Sequence, residues 1–295
     1  MFNKLANSAF IDEGPFLKDH HVQLFIRRLD LIDTVYGGNK WFKLKYNLLK
    51  AKEKGISNIV SFGGVFSNHI AALARIGSLC GIQTYGIIRG EMKNGDNVTL
   101  SRAAADGMQL LFCSREMYRK KKEPGFISQF PEIPINHMLI PEGGSNLEGV
   151  LGAAEILSEK DSEFDYITVC CGTGATAAGL LLKLKSHQHL IGYSVLRDHS
   201  SIEKEIETHI ENKLDVTQKS HWHIEHDFHF GGYAKSSPEL VQFMNWFKTE
   251  TTIPIEVVYT GKMFYGIVKM IQSGYFPKGS KILAIHTGGL QYLHP

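Results

Sequence analysis

The sequence predicts an α/β fold: a mostly parallel sheet covered by helices on both faces. Three observations carry this. Apolar runs of strand length alternate with helix-periodic segments along nearly the whole chain. Paired or closely spaced glycines stand where strands hand over to helices. No internal repeat, low-complexity segment or flexible linker interrupts the pattern, so two domains, where present, are closely joined. The chain has 295 residues, 43% hydrophobic and 21% charged, enough for one large core or two smaller ones.

The elements follow in order. VQLFIRR (22–28) reads as a strand. KWFKLKYNLLKAKEKG places apolar residues at 41, 42, 44, 48 and 49 and stops at Gly55, as a helix does. NIVSF (58–62) is a buried strand, followed by the turn GGVFSNH and a helix over 68–81. QTYGIIRG and MQLLFC (108–113) are strands. Beyond HMLIPEGGSN, LEGVLGAAEILSEK is a helix, FDYITVCC a strand, ATAAGLLLKLKS a helix and HLIGYSVL a strand. SIEKEIETHIENKL, PELVQFMNWFKTE and KMFYGIVKMIQSG are helices, and SKILAIHTGG is a final strand and turn. VVYTG (257–261) reads as the exit of one more strand.

Composition narrows the function. A net charge of +2 gives no basic footprint for nucleic acid. The run RKKKE at Arg119–Glu123 reads as a solvated loop or helix end. No window approaches eighteen apolar residues, and MFNKLANSAFIDEGPFL has no signal-peptide pattern. Cys80, Cys113, Cys170 and Cys171 lie in apolar surroundings without CxxC spacing, and Cys170 and Cys171 point to opposite faces of a strand. Reduced thiols in a cytoplasmic protein are expected.

In such a fold, ligands bind beyond the carboxyl ends of the strands. Three strand exits carry suitable groups. SFGGVFSNHIA (61–71) offers Ser67 and Asn68 at a helix start, an anion site or an ordinary N-cap. VCCGTGATAAG (169–179) sets Gly172, Thr173, Gly174, Ala175 and Thr176 in a loop of backbone donors and hydroxyls, a phosphate cradle. It lacks the Gly-Lys-Ser/Thr ending of a triphosphate loop and departs from G-x-G-x-x-G. IHTGG (285–289) and VVYTG add Thr287, Tyr259 and Thr260. A lysine, Lys40, stands directly behind Gly37-Gly38-Asn39, where a turn fixes its amine. A lysine amine, an anion site, a single-phosphate cradle and late hydroxyls together fit pyridoxal phosphate, whose aldehyde takes a lysine as a Schiff base.

The order of LFIRRLDL, GGNKWFKLKYNLL, SFGGVFSNHIAALA, YITVCCGTGATAAGL and VYTGKMFYGIVKMIQSGYFPKGSKILAIHTGG resembles the D-cysteine desulfhydrase and 1-aminocyclopropane-1-carboxylate (ACC) deaminase family, fold type II pyridoxal-phosphate enzymes. The resemblance runs from about Val22 to Gly289. It implies two doubly wound domains with mostly parallel sheets, tryptophan synthase β-like: 1–42 with 136–295 as a large cofactor-binding domain, and 43–135 as a smaller inserted one. It implies Lys40 as the Schiff-base lysine, with Lys43 structural or near the phosphate. Ser67 would act on the substrate carboxylate, Asn68 would bond the ring hydroxyl, and Gly172–Thr176 would take the phosphate. Tyr233 and Tyr259 would face the cofactor, and Thr260 would approach the pyridine nitrogen beside Thr287. Family ACC deaminases carry glutamate and leucine at the positions of Thr260 and Thr287.

The chain departs from the family pattern at Phe42, in place of arginine, and Lys45, in place of glutamate, and lacks a Thr-Pro motif before Val22. HWHIEHDFHF places His221, His223, His226 and His229 together, a pattern that can hold zinc; it aligns with a strand for which the family uses no metal, and none is expected. The activity implied is β-elimination from D-cysteine or a similar small amino acid, giving pyruvate, ammonia and sulfide. Lys40 would be general base, its pKa lowered by burial and nearby positive charge. ACC deamination and a catalytically idle pyridoxal-phosphate-binding homologue are the alternatives. A cytoplasmic homodimer acting on a small amino acid, without nucleic-acid or membrane partners, completes the expectation.

Overall fold

The protein is described by a computed structural model, which describes residues 11–13, 21–33, 37–91, 97–197, 201–211 and 221–290. The sequence before Val22 that bears on a leader or a Thr-Pro motif, and the end of the helix expected to reach Leu214, fall largely or wholly outside them.

Among the described residues ten strands form two sheets. In chain order they are β1 (Ile11–Glu13), β2 (Gln23–Arg28), β3 (Asn58–Gly64), β4 (Gln83–Arg89), β5 (Gln109–Cys113), β6 (Met138–Ile140), β7 (Tyr166–Cys171), β8 (His189–Ser194), β9 (His221–Glu225) and β10 (Lys281–His286). The larger sheet has the order β1-β2-β10-β7-β8-β9, parallel except for β1; the smaller, β5-β4-β3-β6, is parallel throughout. The helices are α1 (Asn39–Glu53), α2 (Asn68–Cys80), α3 (Val98–Ala105), α4 (Arg115–Arg119), α5 (Leu147–Ala154), α6 (Ala175–Leu181), α7 (Ser201–Glu211), α8 (Pro238–Thr251) and α9 (Thr260–Gln272).

Period-two side chains explain the double winding. On β7, Ile167, Val169 and Cys171 enter one core while Cys170 enters the other; on β10, Leu283 and Ile285 oppose Ile282 and Ala284. The adjacent cysteines thus do point apart. The smaller sheet repeats the device, with Ile59 and Ile88 on one face and Val60, Phe62 and Ile87 on the other. Helix α1 joins the two halves: Trp41, Leu44 and Leu48 pack on the smaller sheet, and Phe42 packs on the larger. Each such buried side chain contributes about 1.5–3 kcal/mol.

Strand β6 pairs with β3, so the chain of the smaller sheet runs to Ile140. Three local expectations are corrected. The helix expected over LEGVLGAAEILSEK ends at Ala154, because Ser158 and Asp161 form a capping box that starts a separate turn. The buried Arg27 holds that turn, donating to Ile156 O at 2.5 Å and to both Asp161 oxygens at 2.9 and 2.5 Å. The helix expected over ATAAGLLLKLKS stops at Leu181, and Gln188 ties the following turn to Asp161 O and Phe164 O. No strand forms before Tyr259. Instead the Glu256 carboxylate accepts the N–H groups of Val258, Tyr259 and Thr260, which a strand would have needed for its ladder.

Candidate active site

The carboxyl ends of both sheets face one cavity of about 350 Å³. Lys40 enters it from the first turn of α1. Its position is set by two glycine turns that interlock. Gly38 and Gly288 form an antiparallel bridge, and Asn39 N–H donates to Thr287 O at 3.2 Å. Gly38 has φ 146° and Gly288 φ 79°; a Cβ on Gly38 would stand 2.1 Å from Thr287 O, and one on Gly288 1.8 Å from Gly37 O. Only glycine permits that approach.

Lys40 Nζ donates to Asn39 Oδ1 at 2.9 Å, and Asn39 Nδ2 donates to Thr176 Oγ1 at 2.8 Å. Asn39 thus ties the amine to the Gly172–Thr176 loop. Burial lowers the Lys40 pKa to about 8, while Cys170 and Glu256 act in the opposite direction; the positive neighbour expected to assist is not among the main causes. Lys43, one helical turn on, lines the same cavity. Burial, then the charge of Lys40, pushes its pKa well down. Among the described residues neither lysine makes an ion pair.

Ser67 caps α2, accepting from Ile70 N–H at 3.3 Å, and still lines the cavity with Asn68, so the N-cap and lining roles coexist. Gly172, Thr173, Gly174 and Thr176 line the opposite wall with Tyr259, and Tyr233 lies across from it, its hydroxyl donating to Phe66 O at 3.3 Å. The rings of Tyr233 and Tyr259 meet edge-on at 6.0 Å. Thr287 also lines the cavity, its hydroxyl 2.9 Å from Cys170 Sγ.

Two expected residues stand back from it. Ala175 is buried in the core under the loop. Thr260 is fully buried, its hydroxyl accepting from Glu256 N–H at 2.9 Å and lying 3.2 Å from the Glu256 carboxylate. Burial raises the Glu256 pKa against the pull of the backbone N–H groups it accepts. Thr260 thus stands behind the cavity wall, and Thr287 is the threonine that lines the cavity.

Three ionisable lining residues escaped the sequence reading. His69 Nε2 lies 2.8 Å from Ser61 Oγ, whose proton goes to Ile140 O; the imidazole therefore carries its hydrogen on Nε2 and leaves a buried Nδ1 acceptor without a protein partner. Burial, then Lys40 and Lys43, keeps it neutral. Arg89 and Glu142 close the outer side. Glu142 pairs with Lys121 at 3.0 Å, so the run Arg119–Glu123 is solvated except at Lys121.

The departures from the family pattern have structural places. Phe42 is core, and Lys45 pairs with Glu155 at 2.5 Å. His221 and His223 lie exposed on β9, and His226 pairs with Glu203 at 2.6 Å. Among the described residues no group of three or more His, Cys, Asp or Glu is arranged to hold a metal, and no helix is long and apolar enough to cross a membrane.

Two lysines without an ion pair beside a loop of backbone donors and hydroxyls suit an anion, and one amine near pKa 8 suits an aldehyde. The cavity fits pyridoxal phosphate. Comparison with known proteins decides the family: residues 7–288 match the pyridoxal-phosphate dependent enzymes. The chain belongs to that family. The enzyme is 30% identical to a Pyrococcus horikoshii protein described as "Putative 1-aminocyclopropane-1-carboxylate deaminase", over 90% of this chain and 84% of the relative. It is 28% identical to the bifunctional D-cysteine desulfhydrase/1-aminocyclopropane-1-carboxylate deaminase of Arabidopsis thaliana, over 92% of this chain and 73% of the relative. A crystal structure of an ACC deaminase homologue superposes with TM-score 0.79 at 29% identity, covering 96% of this chain and 90% of that one. These matches place the enzyme among the pyridoxal-phosphate dependent lyases of the ACC deaminase and D-cysteine desulfhydrase family, with fold type II architecture.

Proposed function

We propose that the enzyme catalyses β-elimination from D-cysteine or a similar small amino acid, releasing pyruvate, ammonia and sulfide. The observation that carries this reading is Thr287. The exit of β10 brings Thr287 to the cavity wall, its hydroxyl against Cys170, while the buried carboxylate of Glu256 is taken up by backbone N–H groups as a helix cap. Pyridoxal phosphate, when bound, supplies an aldehyde for the substrate amine and a ring that draws negative charge from Cα. A hydroxyl facing that ring would leave the draw weaker than a carboxylate would, which would suffice when a thiolate leaves from the β-carbon.

In this reading Lys40 carries the cofactor and, once released from it, takes the Cα proton; a pKa of about 8 lets its amine hold and give up a proton near neutrality. Lys43, Thr173 and Thr176, with the backbone of Gly172, Gly174 and Ala175, hold the phosphate. Asn68 holds the ring hydroxyl, and Ser67 orients the substrate carboxylate at the start of α2. Tyr259 is kept protonated by burial and by the neighbouring Tyr233, so it serves as a donor. Tyr233, bonded across the mouth to Phe66 O, restricts the entry of water. The same reading takes the enzyme as a cytoplasmic homodimer, a location supported by four free thiols.

ACC deamination is the second reading, favoured by the names of the P. horikoshii and Arabidopsis relatives. A screen of D- and L-amino acids and ACC for keto-acid release separates the two. D-cysteine is expected to give sulfide and pyruvate in equal amounts, and ACC little or no ammonia. Rapid ammonia release from ACC with none from D-cysteine reverses the order.

A further inference from the structure

Arg89 ends β4 at the same level as Gly64 ends β3, and the two residues are register partners. Neighbouring strands are about 4.8 Å apart, so Arg89 stands one strand further out than the glycine turn leading to Ser67 and Asn68. Its Nη2 lies over that turn, 3.6 Å from where a Cβ on Gly64 would stand. The guanidinium rests on the ring of the buried Tyr118, with Cζ 5.6 Å from the centroid, and lines the cavity. Among the described residues it makes no ion pair. The carboxylate nearest in function, Glu142, lines the same cavity but is neutralised by Lys121, whose Nζ also sits over Tyr118 at 4.4 Å. Arg89 therefore lines the cavity without a carboxylate of its own among the described residues.

A guanidinium held on an aromatic ring, open to a substrate cavity and without a carboxylate, is a ready partner for an anion. We propose that Arg89 is a specificity-determining residue that takes an anionic group on the substrate's side chain. The substrate class is then a small α-amino acid whose β-substituent carries negative charge, a cysteine thiolate being its smallest member. The inference rests on the proposed lyase reading, in which the Ser67–Asn68 helix start already holds the α-carboxylate, leaving Arg89 for the second charge.

Isothermal titration of the holoenzyme with succinate and with propionate tests this without turnover. The wild type is expected to bind succinate at least about tenfold more tightly than propionate, a charge-assisted hydrogen bond's worth. Arg89→Gln should lose that preference, and Arg89→Lys, which keeps the charge without the fork, should keep part of it. Equal affinity for the two probes in the wild type overturns the proposal. So does an Arg89→Gln variant that weakens both probes alike, which assigns Arg89 to the α-carboxylate. Failure of the lyase reading appears elsewhere, as the absence of keto-acid release from any amino acid, so the two failures are told apart.

Discussion

Lys40 and Lys43 share one cavity and one helix face, but their amines are not equivalent. Lys40 is bonded to Asn39 Oδ1, which holds its amine at the loop, and is lowered to about 8, whereas Lys43 has no such tie among the described residues and is lowered by burial and by Lys40 itself. Borohydride reduction of the holoenzyme followed by peptide mapping should label Lys40 and leave Lys43 unlabelled. Lys40→Ala should lower turnover at least about 10²–10⁴-fold, the range for loss of a general base. Only the neutral amine attacks an aldehyde. Capture of pyridoxal phosphate by the apoenzyme should therefore accelerate with rising pH and level off above about 8, where an ordinary lysine would gain up to 10.5. Thr260 is a separate case, since its hydroxyl serves Glu256. Thr260→Val should leave a buried carboxylate short of a partner and cost about 1–3 kcal/mol, read as a lowered melting temperature. At this scale the gathering of Lys40, Ser67, Asn68, Gly172, Thr173, Gly174, Thr176 and Thr287 on one cavity was legible, because each sits in a short glycine-marked motif at a strand exit or helix start. Arg89, Glu142 and His69 were not, because a strand end, a turn and a helix interior carry no local mark of what the other sheet brings opposite them.

The elements were legible wherever backbone hydrogen bonding stayed local. The period of the side chains gives the strands and the longer helices. It fails where a side chain takes over backbone groups, as Glu256 does before α9 and as the Ser158–Asp161 box does after α5. The glycine turns belong to this scale too, because their meaning is the approach of two elements. Gly288→Ala should cost about 3 kcal/mol or more and abolish cofactor binding, since its Cβ would overlap Gly37 O. Gly81 is the control. It has φ 67° at the end of α2 but nothing within 4 Å of a Cβ, so Gly81→Ala should cost only the left-handed backbone strain, about 1–2 kcal/mol. Chemical denaturation of the two variants separates steric overlap from strain.

At the scale of the whole molecule, alternation of strands and helices announces the architecture, but not which strand pairs with which. Strand β10 lies between β2 and β7, at the heart of the larger sheet, and its exit is the turn that grips Gly38. Nothing local in SKILAIHTGG says that its neighbour is a segment about 250 residues earlier. A chain ended before Lys281 should thus fail to bind pyridoxal phosphate and should lack a cooperative thermal transition, as cofactor absorbance and circular dichroism would report. The order of synthesis follows from the same clasp. Lys40 leaves the ribosome about 250 residues ahead of the turn that latches it; at about 5–20 residues per second that is a delay of tens of seconds. The smaller sheet has all its strands by Ile140 and can form meanwhile. The reactive amine is therefore born outside any site, and a nascent chain can close that site only once the turn after β10 has been made.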